Sequence, residues 1–318
     1  MADQFDREIV CEDFNAELNR LRDAGARLDV IYPADDPHTA ILTHDGVRVR
    51  LTSRPDAAPP SRELPRFHPE LVVSGGGGAG EGRAGMLYRD LIPSRLGGRY
   101  IASHITIPTG GPVEDWVHFH HIALQLIYVR RGWVRVVYEG QGAPFVMESG
   151  DLVLQPPGIR HRVLESSPGL EVVEISAPAL HETFADHDMA LPTPQLEPGR
   201  LFGGQAFLRH VAAQIPWTPF VGAEAQETRL REASDGLVSA RTIRPAGMPT
   251  IDFEPHSGEL VLGFILNGRA RLDGEEIASA DAFVVPPDRC WSLDKMSEDF
   301  RLLHVTTARL DESARSPL

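Results

Sequence analysis

From about Arg99 onwards the sequence consists of short apolar stretches, most of them alternating with polar residues and separated by Gly or Pro. Tyr100–Ile107, Leu124–Arg130 and Trp133–Tyr138 are typical examples. Alternation places every second side chain on the same face of a β-strand, so each stretch predicts a strand with one buried face. Many short strands joined by close turns predict a β-sandwich or a β-barrel rather than a helical fold.

This strand pattern occurs twice along the chain. The pentapeptide that begins at Gly132 (GWVRV) matches the one that begins at Gly268 (GRARL). The nonapeptide from Gly150 (GDLVLQPPG) matches the one from Ala280 (ADAFVVPPD), and the two motifs start 18 positions apart in the first copy and 12 apart in the second. The chain therefore contains an internal duplication of one β-unit, and the second copy is predicted to have the shorter hairpin.

The regions outside the two copies predict mixed structure. Residues 8–25 have apolar side chains at helical spacing and end at a Gly, so one amphipathic helix is predicted there. A charged and Pro-rich connector from Leu180 to Pro216 interrupts the β-pattern and includes a predicted short helix near Phe207–Ala213. Three short strands are predicted after the first helix, at Leu28–Tyr32, Ala40–Leu42 and Val47–Leu51.

Composition narrows the class of protein. The 318 residues carry a formal net charge of −14, which opposes binding to nucleic acid or to an anionic membrane. The two cysteines, Cys11 and Cys290, form no CxxC pair and are typical of a reducing compartment. The N-terminal segment lacks the apolar core of a signal peptide, and no apolar run approaches the roughly 20 residues of a membrane span. A cytoplasmic protein without nucleic-acid or membrane partners is expected.

One stretch contains the side chains of a transition-metal site. His118 and His120 alternate on one predicted strand, so both imidazoles project to the same face. Gln125 follows on the next strand, and His161 begins another strand after a Pro-Pro-Gly turn. Imidazole nitrogens bind Zn, Cu, Fe and Ni, whereas a neutral amide oxygen is a weaker and harder donor. Three His and one Gln on the inner face of a small barrel therefore predict a site for a divalent transition metal.

These residues lie in two spacing motifs. The first is His-Phe-His, four residues, Gln, six residues and Gly132; the second is Gly150, five residues, Pro-Pro-Gly, two residues and His161. Both resemble the two sequence motifs of the cupin superfamily, and with the duplication the chain resembles a bicupin. The resemblance implies an all-β fold of two double-stranded β-helix barrels, with an N-terminal α+β extension and a partly helical connector. It also implies that the metal ligands are His118, His120, Gln125 and His161.

The two barrels are predicted to differ. Counting back from Gly268 places Glu254, His256 and Val261 at the positions of the first three ligands, and Trp291 stands in place of the fourth. A lone imidazole among such side chains does not make a metal site, so the second barrel is predicted to be structural, with an apolar interior. The predicted division is an N-terminal extension (1–94), a metal-binding barrel (95–180), a connector with the start of the second unit (181–234) and a degenerate barrel (235–310).

Gln125 stands where sequences of this kind commonly have Glu. A neutral amide leaves the two positive charges of a bound ion uncompensated, which makes the ion a stronger Lewis acid. It also raises the potential needed to oxidise Fe(II), because less anionic charge stabilises Fe(III). If the amide instead lies outside the ligand shell, three positions are open for a substrate that binds through two atoms. Both arrangements remain open at this point.

The resemblance implies a metal-dependent enzyme acting on a small organic anion or an enolisable carbonyl compound, with a non-haem Fe(II) dioxygenase as the leading hypothesis. Fe(II) is the expected metal, and Zn, Mn, Ni and Cu are compatible. The alternatives are a redox-neutral isomerase, cyclase or lyase, and a small-molecule-binding protein without catalysis. Sheet edges often pair between chains, so a homodimer is expected.

Several other side chains are placed by strand position alone. Tyr100, Ile127 and Val163 are expected to border the substrate pocket. His181 and His187 lie in the connector and are expected at the surface. No catalytic acid or base is identified from the sequence.

Overall fold

The computed structural model describes residues 5–61, 63–75, 78–82 and 85–310. Within these ranges strands dominate, and they form two barrels of similar topology. The predicted all-β fold of two barrels with an N-terminal α+β extension is confirmed. Among the residues that the structure describes, no helix is both long enough and apolar enough to cross a membrane.

The N-terminal extension contains one helix and a layer of strands. Its predicted helix over 8–25 is too long, because the chain is extended at Arg7–Val10 and pairs there in parallel with Val49–Thr52. The helix begins only after Asp13, whose Oδ1 accepts a hydrogen bond from the Ala16 N–H at 3.0 Å. The elements are β1 Arg7–Val10, α1 Phe14–Asp23, β2 Arg27–Tyr32, β3 Thr39–His44, β4 Val47–Thr52, β5 Val72–Ser74, β6 Gly80–Glu81 and β7 Leu87–Asp90.

The first barrel consists of two facing sheets. One has the strand order β20-β14-β11-β16-β8-β7-β6, in which β20 is Leu208–His210. The other includes β17-β10-β15-β12-β13, in which β17 is Thr183–Ala185, and continues into the N-terminal strands through β2. The strands are β8 Ile101–Ile107, β9 Gly111–Pro112, β10 His118–His120, β11 Leu124–Arg131, β12 Trp133–Tyr138, β13 Phe145–Glu148, β14 Leu152–Leu154, β15 His161–Ser166 and β16 Leu170–Ala177.

The connector contributes strands to both barrels. Near Phe207–Ala213, where a short helix is predicted, a strand is followed by a single 3-10 turn at Ala212–Gln214. The elements are β17 Thr183–Ala185, β18 Leu201–Phe202, β19 Gln205–Ala206, β20 Leu208–His210, β21 Thr218–Phe220, β22 Ala223–Glu227 and α2 Leu230–Ala233.

The second barrel repeats the first. Its sheets have the orders β21-β22-β23-β30-β25-β28-β5 and β24-β29-β26-β27. The hairpin between its two motifs is shorter than in the first copy, as the spacing predicts. The strands are β23 Val238–Pro245, β24 Thr250–Phe253, β25 Val261–Asn267, β26 Arg269–Leu272, β27 Glu275–Ala278, β28 Ala282–Val285, β29 Trp291–Asp294 and β30 Arg301–Thr307.

The two barrels exchange one strand each. β5, which precedes the first barrel, pairs with β28 of the second, with Val72 opposite Val284. β20, which precedes the second barrel, pairs in the same way with β14 of the first, with Leu208 opposite Leu154. The division of the chain at residues 94, 180 and 234 stays a prediction, because strands from each part pair with strands of another.

A common core joins the barrels. Leu124 and Leu126 of β11 are fully buried in one cluster with Leu260 and Leu262 from the second barrel. At the edge of this core a buried ion pair crosses between the barrels, with Arg99 Nη2 2.6 Å from Glu259 Oε1. The Tyr100 hydroxyl donates to Glu259 Oε2 at 2.6 Å. Removal of either partner would leave a buried charge unpaired, a change that typically costs 3–5 kcal/mol.

Aromatic rings pack against each other inside the second barrel. Phe253 and Trp291 are stacked with a centroid separation of 3.7 Å and an interplanar angle of 2°. Both rings are buried, as is the His304 ring beside them. Phe253 stands opposite Trp291 across β24 and β29. Aromatic residues stand at the paired positions that hold His118 and His161 in the first barrel, so the second copy of the motif is degenerate, as predicted. A structural role for this barrel stays a prediction.

One detail of that prediction is wrong. In the first barrel His118 pairs with His161, so the partner of Trp291 is the counterpart of His118, and this partner is Phe253 rather than Glu254. The loop between β24 and β25 is longer than the loop between β10 and β11. Counting back from Gly268 therefore assigns the counterpart of His118 one residue too late in the sequence.

The buried His304 makes the second barrel sensitive to acid. Burial, together with the charges of Arg241 and His256, lowers the pKa of His304 to about 3. A histidine in an unfolded chain titrates near pH 6.5, so the folded state holds this ring neutral while the unfolded state takes up a proton. Its contribution to stability is complete above about pH 6.5 and decreases as the pH falls towards 3, by at most about 1.4 kcal/mol per pH unit.

We therefore expect the His304→Phe variant to lose less stability in acid than the wild type. Between pH 7 and pH 5 the difference should be about 2 kcal/mol in the free energy of unfolding. Urea denaturation at the two pH values measures it. The partly exposed His44 of the N-terminal extension provides a control, because His44→Phe leaves His304 in place and should retain the wild-type decrease. Equal decreases in all three proteins would contradict the assignment to His304.

Candidate metal centre

Strand pairing brings the three predicted histidines together. β10 lies between β15 and β17, and His118 stands directly opposite His161 in the register. His120, two residues further along β10, projects from the same face. The ring centroids of His118 and His161 are 4.1 Å apart, and the His120 ring lies 5.2 and 5.3 Å from them. One nitrogen from each ring lies within 4.8 Å of the others, and all three residues are buried.

Hydrogen bonds outside the cluster fix the orientation of these rings. His118 Nδ1 donates to the Trp116 carbonyl at 2.7 Å, and His161 Nδ1 donates to the Ile159 carbonyl at 3.0 Å. A carbonyl oxygen only accepts, so in both rings the proton is on Nδ1 and the Nε2 lone pair is available as a metal ligand.

The third ring and the first have further partners. His120 Nδ1 contacts the hydroxyl of the buried Thr183 at 3.1 Å. Asp115 Oδ1 is 3.4 Å from His118 Nδ1 and adds a carboxylate behind that ring. Such partners orient metal-binding imidazoles and increase their basicity.

The fourth predicted residue, Gln125, belongs to a chain of amide hydrogen bonds. Gln155 Nε2 donates to Gln125 Oε1 at 3.1 Å and to His161 Nε2 at 3.0 Å. The Tyr138 hydroxyl donates to Gln155 Oε1 at 2.9 Å. Burial raises the pKa of Tyr138, with Glu174 and Asp115 adding to the effect, so this hydroxyl keeps its proton. Gln125 is therefore one hydrogen-bonded residue away from His161.

The cluster lines a cavity of about 80 Å³, enough for several water molecules. Ile127 and Val163 line this cavity, as the strand positions predict. Tyr100 does not, and its prediction is wrong: it lies on the opposite face of the sheet, in the core between the barrels. The N-terminal extension supplies part of the wall, through Ala34, Met86 and Tyr88.

His181 is also placed differently from the prediction. Its side chain is buried rather than exposed, and its ring packs edge-on against His120 with a centroid separation of 5.5 Å. His181 Nδ1 donates to the Pro178 carbonyl at 2.9 Å, and burial lowers the pKa of the ring. His187 is partly exposed, and its Nε2 lies 2.7 Å from the Leu28 carbonyl.

Sequence reasoning missed several residues of the site. Gln155 directly precedes the Pro-Pro-Gly turn, so its closeness to His161 in the sequence was a usable signal. Tyr138 and Glu174 project inward from β12 and β16, and their positions follow from alternation once the inner face of each strand is known. The position of Thr183 could not be predicted from the sequence, because only the pairing of β17 with β10 brings this residue to His120.

The donor set fits a divalent transition metal. Three imidazoles converge, two of them with their Nε2 lone pairs set by carbonyl acceptors, and an amide oxygen is nearby. The His161 lone pair cannot serve an ion and the Gln155 N–H at once, so ion binding requires this one hydrogen bond to open.

The sequence of the first barrel matches a known protein family. Residues 103–175 match the family model of the cupin domain. This segment extends from β8 through β16 and contains all four predicted ligands. A search of curated protein sequences finds no match.

Comparison with solved structures confirms the two-barrel fold. Bacillus subtilis oxalate decarboxylase in an arginine-to-alanine variant has a TM-score of 0.52 at 11% identity, covering 78% of this chain and 80% of that chain. The same enzyme at pH 4.6 has a TM-score of 0.51 at 12% identity, covering 82% and 80%. A third structure, from work on the Mn(II) centres of that enzyme, has a TM-score of 0.51 at 12% identity, covering 81% and 80%. At this level of identity the likeness establishes the fold.

The contact between Thr183 and His120 provides a test of the centre. We expect Thr183→Val to weaken binding of Zn(II) or Mn(II) by about 10-fold, because the His120 ring loses the hydroxyl that orients it. Competition with a chelator measures the affinity. Thr39→Val is a matched control, since it removes another buried hydroxyl, bonded to Thr52 away from the cavity. Wild-type affinity in Thr183→Val would contradict this role.

Proposed function

We propose that this bicupin, whose first barrel is a cupin domain, holds a divalent metal on His118, His120 and His161 and uses it to transform a small organic substrate. The observation that carries the proposal is the convergence of three buried imidazoles whose outward Nδ1 atoms have oxygen partners. A bound ion would supply Lewis acidity and adjacent positions for substrate oxygens. Gln125 is proposed to face the same ion, either as a fourth ligand or as a hydrogen-bonding neighbour.

The other residues of the cavity have identifiable roles in this proposal. The aliphatic side chains of β8, β11 and β12 exclude water from the reacting groups, which strengthens electrostatic interactions at the site. The Gln155 amide and the Tyr138 hydroxyl supply hydrogen-bond donors in the cavity wall beside the histidines. They hold the wall beside His161 in one arrangement.

A non-haem Fe(II) dioxygenase is the leading form of this proposal. Three neutral His would hold an Fe(II) ion and could leave room for both a substrate and O2, while Gln125 would add no negative charge. A redox-neutral lyase is the second form. It is supported by the fold shared with Bacillus subtilis oxalate decarboxylase, an enzyme named for a decarboxylation.

Metal analysis and oxygen consumption distinguish these forms. We expect purified protein to retain a divalent ion and, when loaded with Fe(II), to consume O2 with an enolisable carbonyl substrate. Turnover under anaerobic conditions with Zn(II) or Mn(II) would instead favour the lyase. Binding of metal and ligand without turnover would instead indicate a small-molecule-binding protein without catalysis. His161→Ala should lose the ion and His44→Ala should keep it, and retention of the ion by both variants would contradict the site.

Exchange of the amide for a carboxylate tests the place of Gln125. We expect Gln125→Glu to increase the affinity for Zn(II) by about 10-fold or more, because a negative charge next to the ion adds attraction in a buried site. Competition with a chelator measures the change, and the exposed Gln195→Glu is the control for added charge. Unchanged affinity in Gln125→Glu would show that this side chain does not face the ion.

A further inference from the structure

The second barrel has a cavity of about 230 Å³ at the place that corresponds to the metal cavity of the first barrel. Phe253 and Trp291 line it, and they stand at the paired positions that His118 and His161 occupy in the first copy. The cavity has room for several water molecules or for the body of a small molecule. Both barrels therefore have a pocket at the same place in the fold, lined by different side chains.

One wall of this second cavity is aromatic. Phe253 is stacked on Trp291, and the ring of Phe220, from β21, lies 6.4 Å from the Phe253 ring between centroids. The His304 ring is nearly parallel to that of Phe253, with an interplanar angle of 16° and a centroid separation of 5.6 Å. Burial holds the pKa of His304 at about 3, so this ring is uncharged at neutral pH. These rings suit a flat apolar group.

A cationic side chain, Arg241, also lines the cavity. Its guanidinium carbon lies 4.3 Å from the centroid of the Phe220 ring. Its Nε is 3.0 Å from Glu227 Oε1 but is not aligned for a hydrogen bond. Among the described residues, no acceptor is bonded to the Nη groups of Arg241. The ring and the carboxylate hold the guanidinium in place, and its planar fork of N–H donors matches a carboxylate.

Three carboxylates limit the charge that a ligand can carry here. Asp252 and Glu254 border the cavity and are exposed to solvent. Glu227, which is half-exposed, balances part of the charge of Arg241. A ligand with two negative charges would be repelled by these groups, whereas a single carboxylate can pair with the guanidinium.

We propose that the cavity of the second barrel binds a small apolar monocarboxylate, whose carboxylate pairs with Arg241 and whose flat body packs against Phe220 and Phe253. The site lies in the other barrel from the histidine cluster and needs no metal ion, so it does not rest on the proposed function. It gives the second barrel a binding role beyond the structural one that its sequence predicts.

Three probes test the proposal on the full-length protein after metal has been removed with a chelator and by dialysis. Phenylacetate has both parts of the proposed ligand, phenylacetamide lacks the charge and acetate lacks the ring. Isothermal titration calorimetry at pH 7 measures their binding. We expect phenylacetate to bind at least about 10-fold more tightly than either of the others, because the ion-paired hydrogen bonds and the burial of the ring both contribute. Absence of phenylacetate binding, or equally tight binding of another probe, would overturn the proposal.

Variants of two arginines on β23 locate the site. Arg241→Gln should weaken phenylacetate binding by about 10-fold or more and leave phenylacetamide binding unchanged, and Arg241→Lys, which keeps the charge, should lose less. Arg244→Gln is the matched control, because Arg244 pairs with Glu224 at 2.7 Å and lies over Trp217. Urea denaturation checks that each variant is folded. Wild-type affinity in Arg241→Gln, or an equal loss in Arg244→Gln, would overturn the site.

Failure of this inference and failure of the metal centre give different results. The titrations use metal-free protein, so a lack of Mn(II) binding elsewhere would contradict the proposed function and leave this site standing. Addition of Mn(II) should leave the affinity for phenylacetate unchanged. Binding of phenylacetate only in the presence of Mn(II) would place the ligand in the first barrel and overturn the inference.

Discussion

The sheet formed by β11 and β16 is buried on both faces, and the rest of the structure depends on this constraint. Leu124 and Leu126 face the core shared by the two barrels, while Gln125 and Ile127 face the cavity. Because side chains alternate along a strand, a shift of one residue would exchange the two sets and place an amide in the common core. The same hydrophobic packing that joins the barrels therefore fixes the register of the site.

The two barrels show that this fold does not require a metal centre. At paired positions the first barrel has His118 and His161, and the second has Phe253 and Trp291. Stacked aromatic rings pack against each other and gain dispersion and burial energy. In the first barrel the matching positions hold imidazoles, which line a cavity together with Gln125 and Gln155. The exchanged strands β5 and β20 couple the two barrels.

Three residues show which positions could be predicted from the sequence and which could not. Ile127 was placed correctly because it is two residues from Gln125 on one strand, and alternation holds within a strand. Tyr100 was misplaced because nothing local distinguishes the face towards the cavity from the face towards the partner barrel when both are apolar. Phe253 was missed for a different reason, since a longer loop displaced the count along the chain. The homodimer and the cytoplasmic location stay predictions.

The sequence by itself determined the all-β fold, the duplication, the three histidines and the loss of the site in the second copy. These depend on alternation, turn residues and short spacings, which are local properties of the chain. Only the tertiary structure decided that Thr183 contacts His120, that Gln155 joins Gln125 to His161, and that Glu174 lies in the cavity wall. Those contacts join strands that are distant in sequence, and strand pairing and barrel closure set them through packing that no local pattern records.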